Sequence, residues 1–462
     1  MKYISTRGQC EPQNFEEVVL TGLAPDGGLF IPETVPQLSR EQILSWKNLS
    51  YADLAYEIIR LYVDGAVEDD LLKQMVTDTY AAFSHQEVAP LHELNNNEWV
   101  LELFHGPTLA FKDFALQLLG RLLDYFLQKR QQHVAILGAT SGDTGSAALE
   151  GCKHSEFVDI FILHPHNRVS EVQRKQMTTV TGDNVHNIAI SGNFDDCQQI
   201  VKQAFSDQSF LPDGYQLVAV NSINWARIMA QIVYYFYASL KFIDKNEAVS
   251  FSVPTGNFGD IYAGYLAKKM GLSIKQLIIA TNKNDILHRF ISQNQYNLSG
   301  LEASLSPSMD IMVSSNFERF IFDMFNGDTT KVTSFVTGLS SNIHKVSASE
   351  WEFAKAIFDS ASVDDETTCA VIKEIFDRQG YLLDPHTAIG VKAAQLCKQD
   401  EMTPMISLAT AHPVKFSEAI ERAGIETPAL PEHLSDLLER EENYAVMPNK
   451  LSEVEAYIRQ SL

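Results

Sequence analysis

From about residue 96 onward, short runs of β-branched or aliphatic residues are each followed by a glycine-bearing or polar loop and then by an amphipathic stretch. Four such units stand out. Trp99–Phe104 leads through His105-Gly106-Pro107-Thr108 into a helix expected near 110–128. Val134–Leu137 leads through Gly138–Gly145 into one near 144–151. Phe251–Val253 leads through Pro254–Gly259 into one near 260–270, and Met405–Leu408 leads through Ala409–Pro413 into one near 414–423. In the first helix Phe114, Leu118, Leu122 and Phe126 recur every four residues, with Leu119 and Leu123 beside them, which is the stripe of a core-facing helix. Strand alternating with helix predicts an α/β fold of parallel sheets covered by helices. In open sheets of this kind the ligand crevice lies beyond the carboxyl ends of the strands, where the four loops would open. Residues 1–95 read differently, mixing short apolar stretches with turn signals such as Pro25-Asp26-Gly27-Gly28 and a helix-like Tyr51–Tyr62.

Length and charge narrow the picture. A chain of 462 residues exceeds one ordinary core and predicts two or three domains. Its net charge of −23 repels a phosphate backbone, which argues against a nucleic-acid partner. An anionic substrate would therefore need a locally positive site. The acidic runs Asp364-Asp365-Glu366 and Glu439, Glu441, Glu442 read as solvated surface. Five cysteines without C-x-x-C or zinc spacing predict free thiols, a reducing cytoplasmic setting and no metal. No run has the roughly 18 apolar residues of a membrane span.

The loops carry the candidate chemistry. Lys112, in Leu109-Ala110-Phe111-Lys112-Asp113-Phe114, falls at a helix start, where a cation opposes the macrodipole and needs a further reason to be. Phe111 and Phe114 would desolvate it, lowering its pKa and making it a nucleophile toward a carbonyl; the plain alternative is a surface lysine. Asp113 reads equally as a simple first-turn acid. Pro254-Thr255-Gly256-Asn257-Phe258-Gly259-Asp260 fits a phosphate cradle of backbone amides without a cation, or an ordinary turn capped by Asp260. Ala139–Ala148 offers hydroxyls and amides for a carboxylate. It matches neither G-x-x-x-x-G-K-[ST] nor G-x-G-x-x-G, so a nucleotide phosphate loop is disfavoured. Thr410, after a late strand, can hydrogen-bond a heterocyclic nitrogen, while His412 reads as structural and Pro413 as a helix start. Ser306–Ile311 and Ser314–Arg319 supply hydroxyls and one arginine for an anion, or a polar loop running into a helix capped at Ser314 or Ser315. His164-Pro165-His166 reads as a surface turn.

Together and in this order, the motifs resemble the threonine synthase family, in its bacterial and fungal branch with a long N-terminal segment. The resemblance is carried by Thr6-Arg7-Gly8, Leu23–Phe30, Phe104–Thr108 with Phe111-Lys112-Asp113, Thr140–Gly145, Ser222–Arg227, Pro254–Asp260, Ala280-Thr281-Asn282 and Ser306–Arg319. It implies the fold type II, tryptophan-synthase-β-like architecture, with pyridoxal 5′-phosphate as cofactor. An N-terminal segment 1–95 would precede a large domain from 96–130 and 250–430, a small domain 131–249 and a helical C-terminal segment 431–462. The implied reaction converts O-phospho-L-homoserine and water to L-threonine and phosphate by γ-elimination and β-hydration, in a monomer or homodimer. By resemblance, Lys112 holds the cofactor, Gly256, Asn257, Phe258 and Gly259 its phosphate, and Thr410 its pyridine nitrogen. Ser141, Gly142, Asp143 and Thr144 take the substrate's amino-acid end, with Ser308, Asn316 and Arg319 as candidates for its phosphate. Competing readings are a hydroxy-amino-acid dehydratase or cysteine synthase of the same fold, and a non-catalytic relative that binds a phosphometabolite.

Overall fold

The computed structural model describes residues 1–95, 97–140, 142–243, 248–340 and 344–462. The N-terminal part contains β1 (Tyr3–Ser5), α1 (Phe15–Thr21), β2 (Phe30–Pro32), α2 (Arg40–Ser45), α3 (Tyr51–Val63) and α4 (Asp69–Ala81). Next come β3 (Leu91–Asn95), β4 (Glu98–Glu102) and α5 (Asp113–Arg130). A strand–helix alternation follows: β5 (His133–Ala139), α6 (Asp143–Cys152), β6 (Val158–Pro165), α7 (Glu171–Thr178), β7 (Val185–Ser191), α8 (Phe194–Ser206) and β8 (Tyr215–Val218). Then come α9 (Trp225–Leu240), β9 (Val249–Pro254), α10 (Gly259–Lys269), β10 (Ile274–Thr281) and α11 (Ile286–Gln293). The rest is α12 (Phe317–Met324), α13 (Thr329–Thr337), α14 (Ala348–Lys355), β11 (Phe358–Ser362), α15 (Asp365–Gln379), α16 (Pro385–Cys397), β12 (Met405–Ala409), α17 (Ser417–Arg422), β13 (Ala445–Pro448) and α18 (Leu451–Ser461).

These strands build two large sheets, ordered β11-β10-β9-β12-β4-β3 and β13-β7-β6-β5-β8. All neighbours in them run parallel except β3, which joins the edge antiparallel to β4. In the first sheet β12 lies between β4 and β9, with Leu408 opposite Leu101 and Ser407 opposite Ser252. Strands distant in sequence thus end side by side, and the loops after β4, β9 and β12 leave from one edge. The four strand–loop–helix units therefore exist, although the last opens with a short 3-10 turn (Pro413–Lys415) before α17.

Three segments depart from the expected partition. β3 lies within 1–95 yet completes the first sheet. The C-terminal segment is not purely helical: β13 adds an edge strand to the second sheet, and Glu442 accepts Arg174 Nε at 2.8 Å and Thr178 Oγ1 at 2.7 Å on α7. Glu442 is thus an anchor rather than a solvated acid. α9, in the stretch assigned to the small domain, is buried at every residue and packs on α3, α5 and α10. A helix buried all round has no solvent face to offer, and it runs through the common core. His164 and Pro165 are buried in β6 rather than forming a surface turn.

The α5 stripe behaves as its spacing predicts, with Phe114, Leu118, Leu122 and Phe126 all fully buried. Its other constraint is Gly120. A Cβ there would stand 2.0 Å from the carbonyl oxygen of Gly151, so α5 and α6 touch backbone to backbone. Gly120→Ala must separate two helices that flank the site, and the expected loss is about 1–3 kcal/mol or more, read as a lower midpoint in urea unfolding.

Candidate active site

The loop after β4 is zipped to the loop after β12. Leu103 N–H donates to Ala409 O at 2.9 Å, Phe111 N–H to Thr410 O at 2.9 Å and His412 N–H to Leu109 O at 3.1 Å. This pairing sets Lys112 beside Thr410 on one cavity wall. Asp113 fixes the approach from inside. Fully buried, its carboxylate accepts Thr108 N–H and Thr108 Oγ1 at 2.8 Å each and Gln117 Nε2 at 3.1 Å. Burial pushes its pKa up to about 6. It is a lock on the lysine loop, not a solvated first-turn acid.

Lys112 is buried, and its Nζ stands 4.8 Å from the Phe111 ring centroid and 3.3 Å from Asp143 Oδ2. Phe114 instead faces the aromatic core around Tyr51, Phe83 and Tyr234. Burial pulls the Lys112 pKa down; Asp143 opposes this, while Lys415 and Arg227 add to it. Lys415 is the partner that spacing did not reveal. Its side chain is fully buried, with Nζ 2.7 Å from Asp143 Oδ1 and 2.7 Å from Thr108 O. Gln173 Nε2 also donates to Asp143, at 2.8 Å. Burial would raise the Asp143 pKa, but Lys415 and Lys112 hold it well below the usual carboxylate range.

The loop after β9 forms the opposite wall. Phe258 takes a left-handed conformation (φ +68°), costly for a residue with a Cβ. Its ring is wedged among Phe317, Phe358 and Phe320, at centroid distances of 5.0, 5.5 and 6.0 Å. That packing holds the strained turn from which α10 starts, with no side-chain cap from Phe258 itself. Gly259 N–H donates to Asn257 Oδ1 at 2.8 Å, and Asn316 N–H to Asn257 O at 3.0 Å. A Cβ on Gly256 would reach Ser308 O at 2.9 Å and crowd the cavity.

Lys112, Asp143, Gly256, Asn257, Phe258, Ser308 and Thr410 share one cavity of ≈ 490 Å³, counted out to its mouth, with Asp260 and His386 also in the wall. Other expected positions fare differently. Ser141 lies outside the described residues. Gly142 precedes α6, whose start is capped by Thr140: the threonine Oγ1 accepts Gly142 N–H and Gly145 N–H at 3.0 Å each. Thr144 is half-buried and not part of the cavity wall. Asn316 sits behind the cradle, where its Nδ2 donates to Ser222 O at 3.1 Å. Arg319 does not face the cavity. It is fully buried, and its guanidinium donates to Phe30 O at 3.0 Å, Ile223 O at 2.6 Å and Asn316 Oδ1, so it is a tie between segments and not an anion ligand.

A different arginine keeps free donors, although it is not part of the cavity wall either. Arg227, in the first turn of α9, is buried, and its Nε and Nη1 have no protein partner. Burial lowers its pKa to about 10, and its charge reaches Lys112. Nothing in the apolar run of α9 marks it; only its place in Ser222–Arg227 set it apart. His386 was also unforeseen. Its Nδ1 lies 2.7 Å from Asp384 Oδ1, and its Nε2 accepts Ser308 N–H at 3.3 Å.

Two largely parallel sheets that bring a buried lysine and a glycine-bearing loop together at their strand ends make the architecture of fold type II pyridoxal-phosphate enzymes. In keeping with this, residues 83–408 match the family described as pyridoxal-phosphate dependent enzyme. The flanks narrow the class: residues 2–80 match threonine synthase N terminus and 387–458 match threonine synthase, C-terminal. The chain belongs to the threonine synthase family. It is 60% identical to the threonine synthase of Pseudomonas aeruginosa over 462 residues, 100% of this chain and 98% of the relative. The PLP-bound threonine synthase crystal structure from Brucella melitensis superposes with a TM-score of 0.97 at 47% identity, covering 100% of this chain and 99% of that one. The Escherichia coli threonine synthase structure gives 0.84 at 31%, covering 100% of each chain. The activity is that of a threonine synthase, a pyridoxal-phosphate-dependent lyase.

Removing one member of a buried charge cluster strands the others. Lys415→Met is expected to cost about 3 kcal/mol, and Asp143→Asn added to it should recover much of that loss in urea unfolding. Asp143 has a lowered folded pKa, so its contribution is present above its unfolded value, about 3.9, and is lost only as pH falls below it. The Lys415→Met penalty should therefore be constant from about pH 5.5 to about pH 8 and shrink in acid.

Proposed function

We propose that the chain converts O-phospho-L-homoserine and water to L-threonine and phosphate. The observation that carries this reading is Arg227: a buried guanidinium with free donors, within electrostatic reach of Lys112. A buried cation without an acceptor is costly unless an anion completes it. The 256–259 cradle accounts for the cofactor's phosphate, so Arg227 is left for a second one, on the substrate.

Lys112 would hold the cofactor and Thr410 would face its pyridine nitrogen. Bound there, the cofactor supplies the sink for the electron pairs released as protons leave carbon. Lys112, freed as an amine of lowered pKa, takes the α-proton and returns it. Arg227 holds the leaving phosphate on the γ-carbon and offsets its growing charge. A β-proton leaves as the γ-carbon–oxygen bond breaks; a proton then enters at the γ-carbon, and water adds as hydroxide at the β-carbon, its own proton passing to the released phosphate. The substrate's amino-acid end falls to the 141–144 loop at the start of α6, through backbone amides. The Asp143 carboxylate repels another carboxylate, so its part is to hold Lys112 and Lys415. Five free cysteines fit a cytoplasmic setting.

With O-phospho-L-homoserine, the purified protein should release phosphate and L-threonine in equal amounts, and serine or O-acetylserine should give neither product. Phosphate without threonine would overturn the assignment. Lys112→Ala should abolish both products and the absorbance of the lysine-bound cofactor. Arg227→Met should lower kcat/KM by about 100-fold, the loss of two charge-assisted hydrogen bonds, with that absorbance retained.

A further inference from the structure

Asp260 stands where a carboxylate is least welcome. It lies in the first turn of α10, directly after the cradle, and lines the cavity while only 6% exposed. Its Oδ1 accepts two hydrogen bonds, from Tyr234 Oη at 2.6 Å and Tyr235 Oη at 2.8 Å, both on α9. Its Oδ2 is buried and has no partner at all. Residues 254–260 include no lysine or arginine, and among the described residues the cation whose charge reaches Asp260 is Lys112. A phosphate dianion in the cradle would face an ionised carboxylate across a site of low dielectric, which is strongly repulsive.

We infer that in the loaded enzyme Asp260 is a neutral carboxylic acid whose Oδ2–H donates to the cofactor's phosphate. One proton removes the repulsion and turns an orphaned acceptor into the donor that the cation-free cradle lacks. The two tyrosines fix the other oxygen, so the proton belongs on Oδ2. The site is already biased this way: burial pushes the Asp260 pKa up to about 6 against the pull of Tyr234, Tyr235 and Lys112. A dianion beside it raises the value further. The inference rests on reading 256–259 as the cofactor-phosphate cradle and is independent of the substrate.

Loading then takes up one proton. Affinity for the cofactor should fall as pH rises, by about tenfold per unit between the value near 6 of the empty site and the higher value of the loaded one. Equilibrium dialysis of the full-length enzyme against pyridoxal phosphate measures this. Asp260→Asn keeps a donor and cannot ionise, so its affinity should change less than about threefold over the same range. Tyr234→Phe removes a donor to the carboxylate and should move the onset of the fall to higher pH, a check that survives if Asp260→Asn does not fold. In infrared spectra of the holoenzyme at neutral pH, a protonated-carboxyl band should vanish in Asp260→Asn, while 31P resonance shows the bound phosphate as a dianion. A monoanion signal, no such band, or identical pH profiles for wild type and Asp260→Asn would overturn the inference. Pyridoxal binding as tightly as pyridoxal phosphate would instead refute the cradle itself.

Discussion

Asp143 is ionised, buried and shared between two lysines, and the site is arranged around the need to keep it so. An isolated carboxylate in that position would protonate. Lys112 arrives from the loop after β4 and Lys415 from the turn after β12, while Asp143 itself comes from the loop after β5 in the other sheet. One charge cluster therefore joins three loops and both sheets. Displacing any of them leaves an uncompensated charge in a dry place, so the cleft geometry and the electrostatics hold each other.

The cluster also explains the supporting parts. Thr108 O accepts Lys415 Nζ and Gln176 Nε2, while Thr108 N–H and Oγ1 bind Asp113. The carbonyl and the side chain of one threonine thus tie the second lysine to the lock on the first. Gly120 and Gly151 bring α5 and α6, the helices that start at Lys112 and Asp143, into backbone contact. Packing far from the cavity is in this sense part of the site.

Repeating patterns and whole motifs were legible in the sequence; individual partners were not. The four-residue stripe of α5 and the glycine loops after strands placed Lys112, the 256–259 cradle and Thr410 at strand ends, because backbone periodicity is local. Arg319 and Arg227 show the limit. Both are single arginines near polar runs, and only the fold decides that Phe30 and Ile223 carbonyls consume one while the other keeps free donors. Lys415 was quoted within its motif but had no visible role, since its partner lies 272 positions away, at Asp143. β13 was missed because a four-residue edge strand after a polar stretch carries too little alternation to register.

On the proposed reading the site handles two anions in two ways, and the difference follows from what each must do. A cofactor phosphate held at 256–259, as proposed, would stay bound through the reaction, so amides, a helix start and the neutral Asp260 inferred above would serve it without a cation. A leaving phosphate gains charge during the reaction and must be stabilised as it does so, which calls for a fixed guanidinium. In a chain of net charge −23, long-range attraction of an anionic substrate is weak. Arg227, in the role proposed for it, would compensate at short range: burial removes water's competition for its donors, and the charge of Lys112 adds to the local positive potential. The same burial makes Arg227 costly while nothing occupies its donors. A site of the proposed kind would favour a ligand that brings its own dianion over one that is merely polar, and would in this way discriminate a phosphorylated amino acid from its unphosphorylated analogue.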